Sequence, residues 1–261
     1  MADIPDSASD ALFDPIPGDL LADRAASQIE MHILNGLLKS GAKLPGERDL
    51  AQQLDVSRPK LREALQLLES RGLVNVIAGD GAYISELSGP AMSPALIALY
   101  IRHPTALDDH LEYRKHQEGF AARLAAERAT DEDQVRIMEI VDELKKVHQL
   151  GDLQRASELD LEFHTAIVET SYNRTLIHTM ESLYDLNRSA LFANRQELFE
   201  SPTVGASLLN QHAKIAEAII AGDGIAAERA ATDHVEYVRA SLAEAISNRH
   251  RETISRKRRI V

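Results

Sequence analysis

Four residues able to bind a metal ion recur at helical spacing in the second half of the chain. Asp160 and His164 are four residues apart, so on a helix they project from one face. The apolar stripe Leu159, Phe163, Ala166 and Ile167 runs beside them and places the pair at the edge of a core. His212 falls in the stripe Leu208, His212, Ile215, Ile219; His234 falls in the stripe Ala231, His234, Val238, Leu242. Three histidines on three segments are therefore expected to face inward, with one carboxylate beside them. Neutral imidazoles plus a carboxylate suit a divalent ion, zinc first, with nickel, iron and manganese also compatible. Four protein ligands leave room for an exogenous one. The competing reading is that these are hydrogen-bonded core histidines, which is the commoner fate of a lone histidine on an apolar face. His32, His103, His110, His148, His178 and His250 read as polar-face or helix-end residues, and His116 is ambiguous.

A second group of charges sits where apolar residues are expected. Arg114 and Glu118 occupy the stripe Leu107, Leu111, Arg114, Glu118, Ala121, Ala125. Buried charges are unfavourable unless paired. Either the two pair with each other, or Arg114 receives the carboxylate of a ligand, which its forked guanidinium matches.

The third group is basic and lies near the N-terminus. Arg58, Lys60 and Arg62 open one predicted helix, and Arg58 and Arg62 share a face of it. Arg48 lies in the short helix before it. Arginine can grip guanine with two hydrogen bonds or clamp phosphate.

The elements that must position these groups fall into two parts. Leu20 to Leu38 reads as a first helix, with Gly36 and Gly41 weakening and then stopping it. Pro45 precedes a second helix, Glu47 to Leu54, and Ser57 is a good N-cap for a third, Arg58 to Arg71, with Gly72 behind it. Leu73 to Ile77 and Ala82 to Glu86 then read as a hairpin around Ala78-Gly79-Asp80-Gly81. Beyond the linker-like Ser88-Gly89-Pro90 the pattern is helical, with helices expected at 93–101, 105–129, 131–150, 153–171, 174–199, 203–221 and 223–249. The fold class expected is mainly α: a winged helix-turn-helix of three helices plus a β-hairpin, then an all-α bundle. The domain plan is a tail at 1–18, the winged helix-turn-helix at 19–87, a linker at 88–92, the helical domain at 93–249, and a basic tail at 250–261.

Composition narrows the function. Cysteine is absent, which excludes disulfides and thiolate zinc sites. No apolar run approaches the roughly 18 residues of a membrane span, and Met1 to Gly18 lacks the pattern of a signal peptide, so a cytoplasmic protein is expected. Aromatic residues are only 4% of the chain, too few for a single-strand stacking platform. The net charge of −12 argues against nucleic acid in general, but the acids concentrate in the tail and the C-terminal two thirds. A local basic cluster can still engage double-stranded DNA.

The runs Gly41-Ala42-Lys43-Leu44-Pro45-Gly46-Glu47-Arg48-Asp49-Leu50-Ala51, Val56-Ser57-Arg58-Pro59-Lys60-Leu61-Arg62-Glu63-Ala64-Leu65 and Gly72-Leu73-Val74 resemble the DNA-binding head of GntR-family regulators. That resemblance implies DNA contacts at Arg48, Arg58 and Arg62 and at the wing tip near Gly79; Lys60 joins them on the reading of the helix's own basic residues. The family wing usually carries a base between two glycines; here Asp80 stands there, which puts the wing's contribution in doubt. Tyr113-Arg114 with Glu118, Asp160-Leu161-Glu162-Phe163-His164, Gln211-His212 and Asp233-His234 resemble the FCD effector domain of the FadR-like subfamily, and most closely regulators of pyruvate dehydrogenase and lactate utilisation. The resemblance implies a six- or seven-helix bundle, a homodimer on a pseudo-palindromic operator, a metal held by Asp160, His164, His212 and His234, and a small organic acid as effector.

Two function classes compete. One is a DNA-binding regulator, a repressor, controlled by lactate, pyruvate, glycolate or a similar acid. The other is a metal-dependent enzyme acting on a small carboxylate. The enzyme reading lacks a general base near the ligands, since Glu162 is offset by two residues from Asp160 and points away. It also has no use for the N-terminal head.

Overall fold

The computed structural model describes residues 20–87, 91–183, 186 and 202–258. The expected tail at 1–18, Ser88-Gly89-Pro90, most of the expected helix 174–199 beyond Leu183, and residues 259–261 lie outside the described residues. The chain divides into two compact units, with the break between Gly89 and Pro90.

In the first unit, α1 (Leu21–Leu34), α2 (Glu47–Gln53) and α3 (Arg58–Ser70) precede a hairpin of β1 (Val74–Ile77) and β2 (Gly81–Ile84). The helix α1 stops four residues earlier than the pattern to Leu38 predicts, because Gly36 takes a left-handed φ of 73° and turns the chain. Leu38 is still buried, reached by the turn rather than the helix. The Ser57 side chain accepts from the Lys60 amide and Pro59 sits in the first turn, so α3 starts where its sequence says. Asp55, at φ 50°, makes the tight bend between α2 and α3. The strands pair antiparallel from Val74 opposite Ile84 to Ile77 opposite Gly81. An addition not read from the sequence is the segment 41–44. Its backbone bonds the other edge of β2, through Leu44 N to Ala82 O and Ile84 N to Ala42 O, both 2.9 Å. One core joins these parts: Ile29, Leu50, Leu54, Leu61 and Leu68 with Val74 and Ile84.

The second unit is helical: α4 (Pro94–Arg102), α5 (Pro104–Arg128), α6 (Asp131–Leu150), α7 (Leu153–Thr170), α8 (Arg174–Ser182), α9 (Pro202–Ile220) and α10 (Gly224–Arg258). Boundaries follow local chemistry. Thr130 and Asp133 form a reciprocal capping box at the start of α6, Gly151 ends it at φ 72°, and Asp152 then caps α7. Asp223 accepts from the Ala226 amide at 2.9 Å and caps α10. That helix runs on to Arg258, where the reading from sequence placed a basic tail from 250. Residues 250–258 contain no glycine or proline to stop it, and Arg and Glu are good helix formers.

Helix α5 lies along α10 and also packs on α7; α9 packs on α6 and α10. The α5–α10 contact is close at Gly119, where a Cβ would come within 2.7 Å of Thr232 Oγ1. Only glycine allows that approach without displacing α10 two residues from His234. On the flank, Arg239 of α10 forks onto Asp108 of α5 at 2.5 and 2.6 Å. Phe163 of α7, with no exposed surface, anchors a core made mostly of Ala, Ile, Leu and Val from α5, α6, α7, α9 and α10.

Candidate functional site

The four stripes read from the sequence all turn inward, and their polar members are carried in with them. Asp160, His164, His212 and His234 are each at least 96% buried. One nitrogen from each of the three histidines lies within 4.8 Å of the others, close enough for a single ion to be reached from α7, α9 and α10. Ring centroids stand 5.3 Å apart for His164–His212, 5.2 Å for His164–His234 and 4.6 Å for His212–His234. Asp160 Oδ1 is 3.3 Å from His212 Nε2, and its Oδ2 is 3.7 Å from His164 Nε2. The carboxylate thus faces two of the three imidazoles. His164 Nε2 makes no hydrogen bond although it is buried. A purely structural core histidine would be expected to bond both nitrogens. The donor set is three imidazoles and one carboxylate on rigid helices, which fits a first-row divalent ion.

Arg114 and Glu118 are adjacent to this cluster and are buried at 3% and 4% exposure. Arg114 Nε donates to Glu118 Oε1, one helical turn on. The other carboxylate oxygen, Oε2, stands 2.9 Å from His164 Nδ1. Burial pushes the Glu118 carboxyl up, but the Arg114 guanidinium and the His164 ring outweigh it and hold the group well below the usual carboxylate range. Arg114 Nη1 is buried with no hydrogen-bond partner. The expected Arg114–Glu118 pair therefore forms, and it still leaves a donor on Arg114 for something else. Gln211 Oε1 lies 3.0 Å from His234 Nδ1. Sequence reasoning missed both outer contacts. Glu118 to His164 crosses from α5 to α7, and Gln211 to His234 crosses from α9 to α10, so no single-helix spacing reveals either. His110, read from the sequence as peripheral, is buried on α5. Glu162 is exposed, consistent with its offset.

The basic residues of the first unit occupy the opposite setting. Arg48 is 85% exposed, and its Nε touches Asp49 at 3.3 Å. Lys60 pairs with Glu63 at 2.7 Å. Arg58 and Arg62 project side by side from the N-terminal half of α3, and both reach Glu47 of α2: Arg62 at 2.9 and 3.0 Å, Arg58 at 3.4 Å. The Arg62 hydrogen bond holds the Glu47 carboxyl below its usual range. Sequence reasoning did not single out Glu47. At the hairpin turn, Gly79 has φ 81° and Gly81 φ 140°. Between them Asp80 accepts from Lys43 Nζ at 2.6 Å and from the Tyr83 hydroxyl at 2.7 Å. The acid that departs from the usual wing is thus balanced by a lysine, from the segment that borders β2.

Comparison with known proteins agrees with both units. Residues 21–84 match the family model for bacterial regulatory proteins of the gntR family, and residues 109–237 match that for the FCD domain. The Glc operon transcriptional activator of Escherichia coli (strain K12) is 34% identical over 225 residues, covering 85% of this chain and 89% of that protein. The HTH-type transcriptional regulator LutR of Bacillus subtilis (strain 168) is 34% identical over 207 residues, covering 79% of this chain and 94% of its own. Among solved structures, a GntR protein of Streptococcus agalactiae matches with a TM-score of 0.52 and 29% identity, over 84% of this chain and 99% of that one. The chain belongs to the gntR family of bacterial regulatory proteins and carries an FCD domain behind its winged helix-turn-helix. Its relatives are transcriptional regulators, not enzymes, which sets aside the metal-dependent enzyme. No described helix is long and apolar enough to cross a membrane.

Proposed function

We propose that this gntR-family regulator binds its operator as a homodimer and is controlled by a small organic acid that sits on a divalent metal ion, zinc by preference, in the FCD domain. The observation that carries the reading is the convergence of His164, His212 and His234, with Asp160, beside a buried arginine that has a donor to spare. The ion would supply a Lewis-acidic centre for an acid's oxygens. Arg114 Nη1 would take the carboxylate. A hydroxy or keto acid such as lactate, glycolate or pyruvate is small and polar, so apolar burial offers it little; charge and chelation are what this site offers.

On the DNA side, Arg58, Lys60 and Arg62 at the start of α3 would meet base edges and phosphates, with Arg48 at the groove edge and the backbone near Gly79 at the wing. A twofold dimer would present two such faces to a pseudo-palindromic site. An acid that binds one arrangement of the helical unit better shifts the population toward it. Repression by operator occlusion is the mode we assign. The Escherichia coli relative is by name an activator, so a promoter–reporter assay with the gene deleted decides the sign for this chain.

The direct test is a thermal-shift screen of short hydroxy-, keto- and sugar acids on metal-loaded protein, with Arg114→Lys as the diagnostic variant. Lysine keeps a cation for Glu118 but loses the fork. The metal should stay bound while affinity for the acid falls about 10- to 100-fold, the equivalent of one charge-assisted hydrogen bond of about 1.5–3 kcal/mol. Full acid response in Arg114→Lys would remove Arg114 from the ligand site.

A further inference from the structure

We infer that Glu118 and Gln211 are positioning residues for the metal site, each fixing the tautomer of one histidine, and that Glu118 ties the metal ligand His164 to the effector arginine. The inference rests on the metal reading above and concerns residues that do not themselves touch the ion.

An imidazole can offer a ring nitrogen to a metal only if that nitrogen carries no proton, and the acceptor at the other nitrogen decides where the proton stays. Glu118 Oε2 lies 2.9 Å from His164 Nδ1 as an ion-pair contact and makes no hydrogen bond of its own, so it is the oxygen placed to become that acceptor. It keeps the proton on Nδ1 and leaves Nε2, the nitrogen that faces Asp160, as the donor to the ion. Gln211 Oε1, 3.0 Å from His234 Nδ1, acts likewise on the second histidine. Gln211 precedes His212 in the chain, so one stretch of α9 supplies a ligand and orients another. Glu118 has a second function because its other oxygen is taken by Arg114 Nε. A ligand carboxylate arriving at Arg114 Nη1 would share with Glu118 the positive charge of one guanidinium. What it draws from Glu118 changes how strongly Glu118 holds His164. Effector and metal are then coupled through one side chain, and linkage makes the coupling reciprocal.

The test uses the full chain and Co²⁺ alone, whose visible absorption reports ligand geometry. Wild type should bind one Co²⁺ per chain and His164→Ala should lose it. The double variant Arg114→Met with Glu118→Met removes the acceptor without stranding a buried charge. It should bind Co²⁺ about 10- to 100-fold more weakly with an altered spectrum. Arg114→Met with Glu118→Gln restores an oxygen to accept from Nδ1 and should recover most of the affinity. Gln211→Leu, which disturbs no charge, should weaken Co²⁺ in the same way and carries the test if the double variant fails to fold. Metal-free melting temperatures separate positioning from general damage. Wild-type Co²⁺ affinity and spectrum in a folded Glu118→Met double variant and in Gln211→Leu would overturn the inference while leaving the metal site standing. Equal Co²⁺ binding by wild type and His164→Ala, or none by either, would overturn the metal reading itself and this inference with it.

Discussion

Two glutamates, Glu47 and Glu118, pair with the arginines to which functional parts are proposed above, and they do so in opposite surroundings. Glu47 bridges Arg58 and Arg62 at the surface of the DNA-binding unit. Glu118 bridges Arg114 and His164 in the interior of the helical unit. At the surface water competes for every partner, so the arginines can leave Glu47 for DNA at little expense. In the interior no water takes over, and each broken contact strands a charge. The same residue types therefore make an exchangeable grip in one unit and a fixed frame in the other. The first suits a protein that must let go of DNA; the second suits a site that must hold its geometry until a ligand changes it.

The largest effect should come from breaking the interior pair. Glu118→Leu leaves Arg114 buried without its counterion and should destabilise the helical unit by about 3–5 kcal/mol. Glu47→Leu, by contrast, should change stability by no more than about 0.5 kcal/mol. Chemical denaturation of both variants checks this, and equal losses would erase the distinction between the two settings.

Next is the surface arginine itself. Arg62→Ala should leave the melting curve unmoved and weaken specific operator binding roughly 10- to 100-fold per half-site, the worth of one good base contact. A dimer counts the loss twice. Undiminished affinity in a gel shift would take α3 out of the groove.

The smallest effect concerns the wing. Asp80 neutralises Lys43, so Asp80→Ala frees one cation and Asp80→Arg adds another. Nonspecific binding should strengthen, and the slope of log K against log salt should steepen by about 1 per wing for the first variant and about 2 per wing for the second. Identical slopes in all three proteins would show that the hairpin tip does not reach phosphate. The sequence alone predicts the direction for arginine but not the role of Lys43. That pairing depends on the segment 41–44 lying against β2, which has too few residues to register as a strand.

How much was legible follows the same division. Helical period places His164, His212 and His234 on buried faces because each stripe has apolar neighbours at three- and four-residue spacing, and all of them are buried. Period cannot say which faces meet. The contacts of Glu118 with His164 and of Gln211 with His234 exist only once α5 lies on α7 and α9 on α10. Gly119 illustrates the gap: in the sequence it weakens a helix, whereas in the fold it sets how close α5 and α10 come. Ends of elements were readable where a cap marks them, as at Ser57 and Thr130. They differ where a glycine read only as weakening the helix instead ends it, at Gly36, or where nothing stops a helix, beyond residue 249.

The central claim is that the three buried histidines, with Asp160, hold an ion through which an acid acts. Inductively coupled plasma mass spectrometry of the protein purified without chelators tests it most directly, read beside the acid-dependent shift in operator affinity. The account predicts one divalent ion per chain, lost together with the acid response in His164→Ala and His234→Ala, while metal-free DNA binding persists. A wild-type protein that carries no metal and still responds fully to its acid would contradict it and return the histidines to the core.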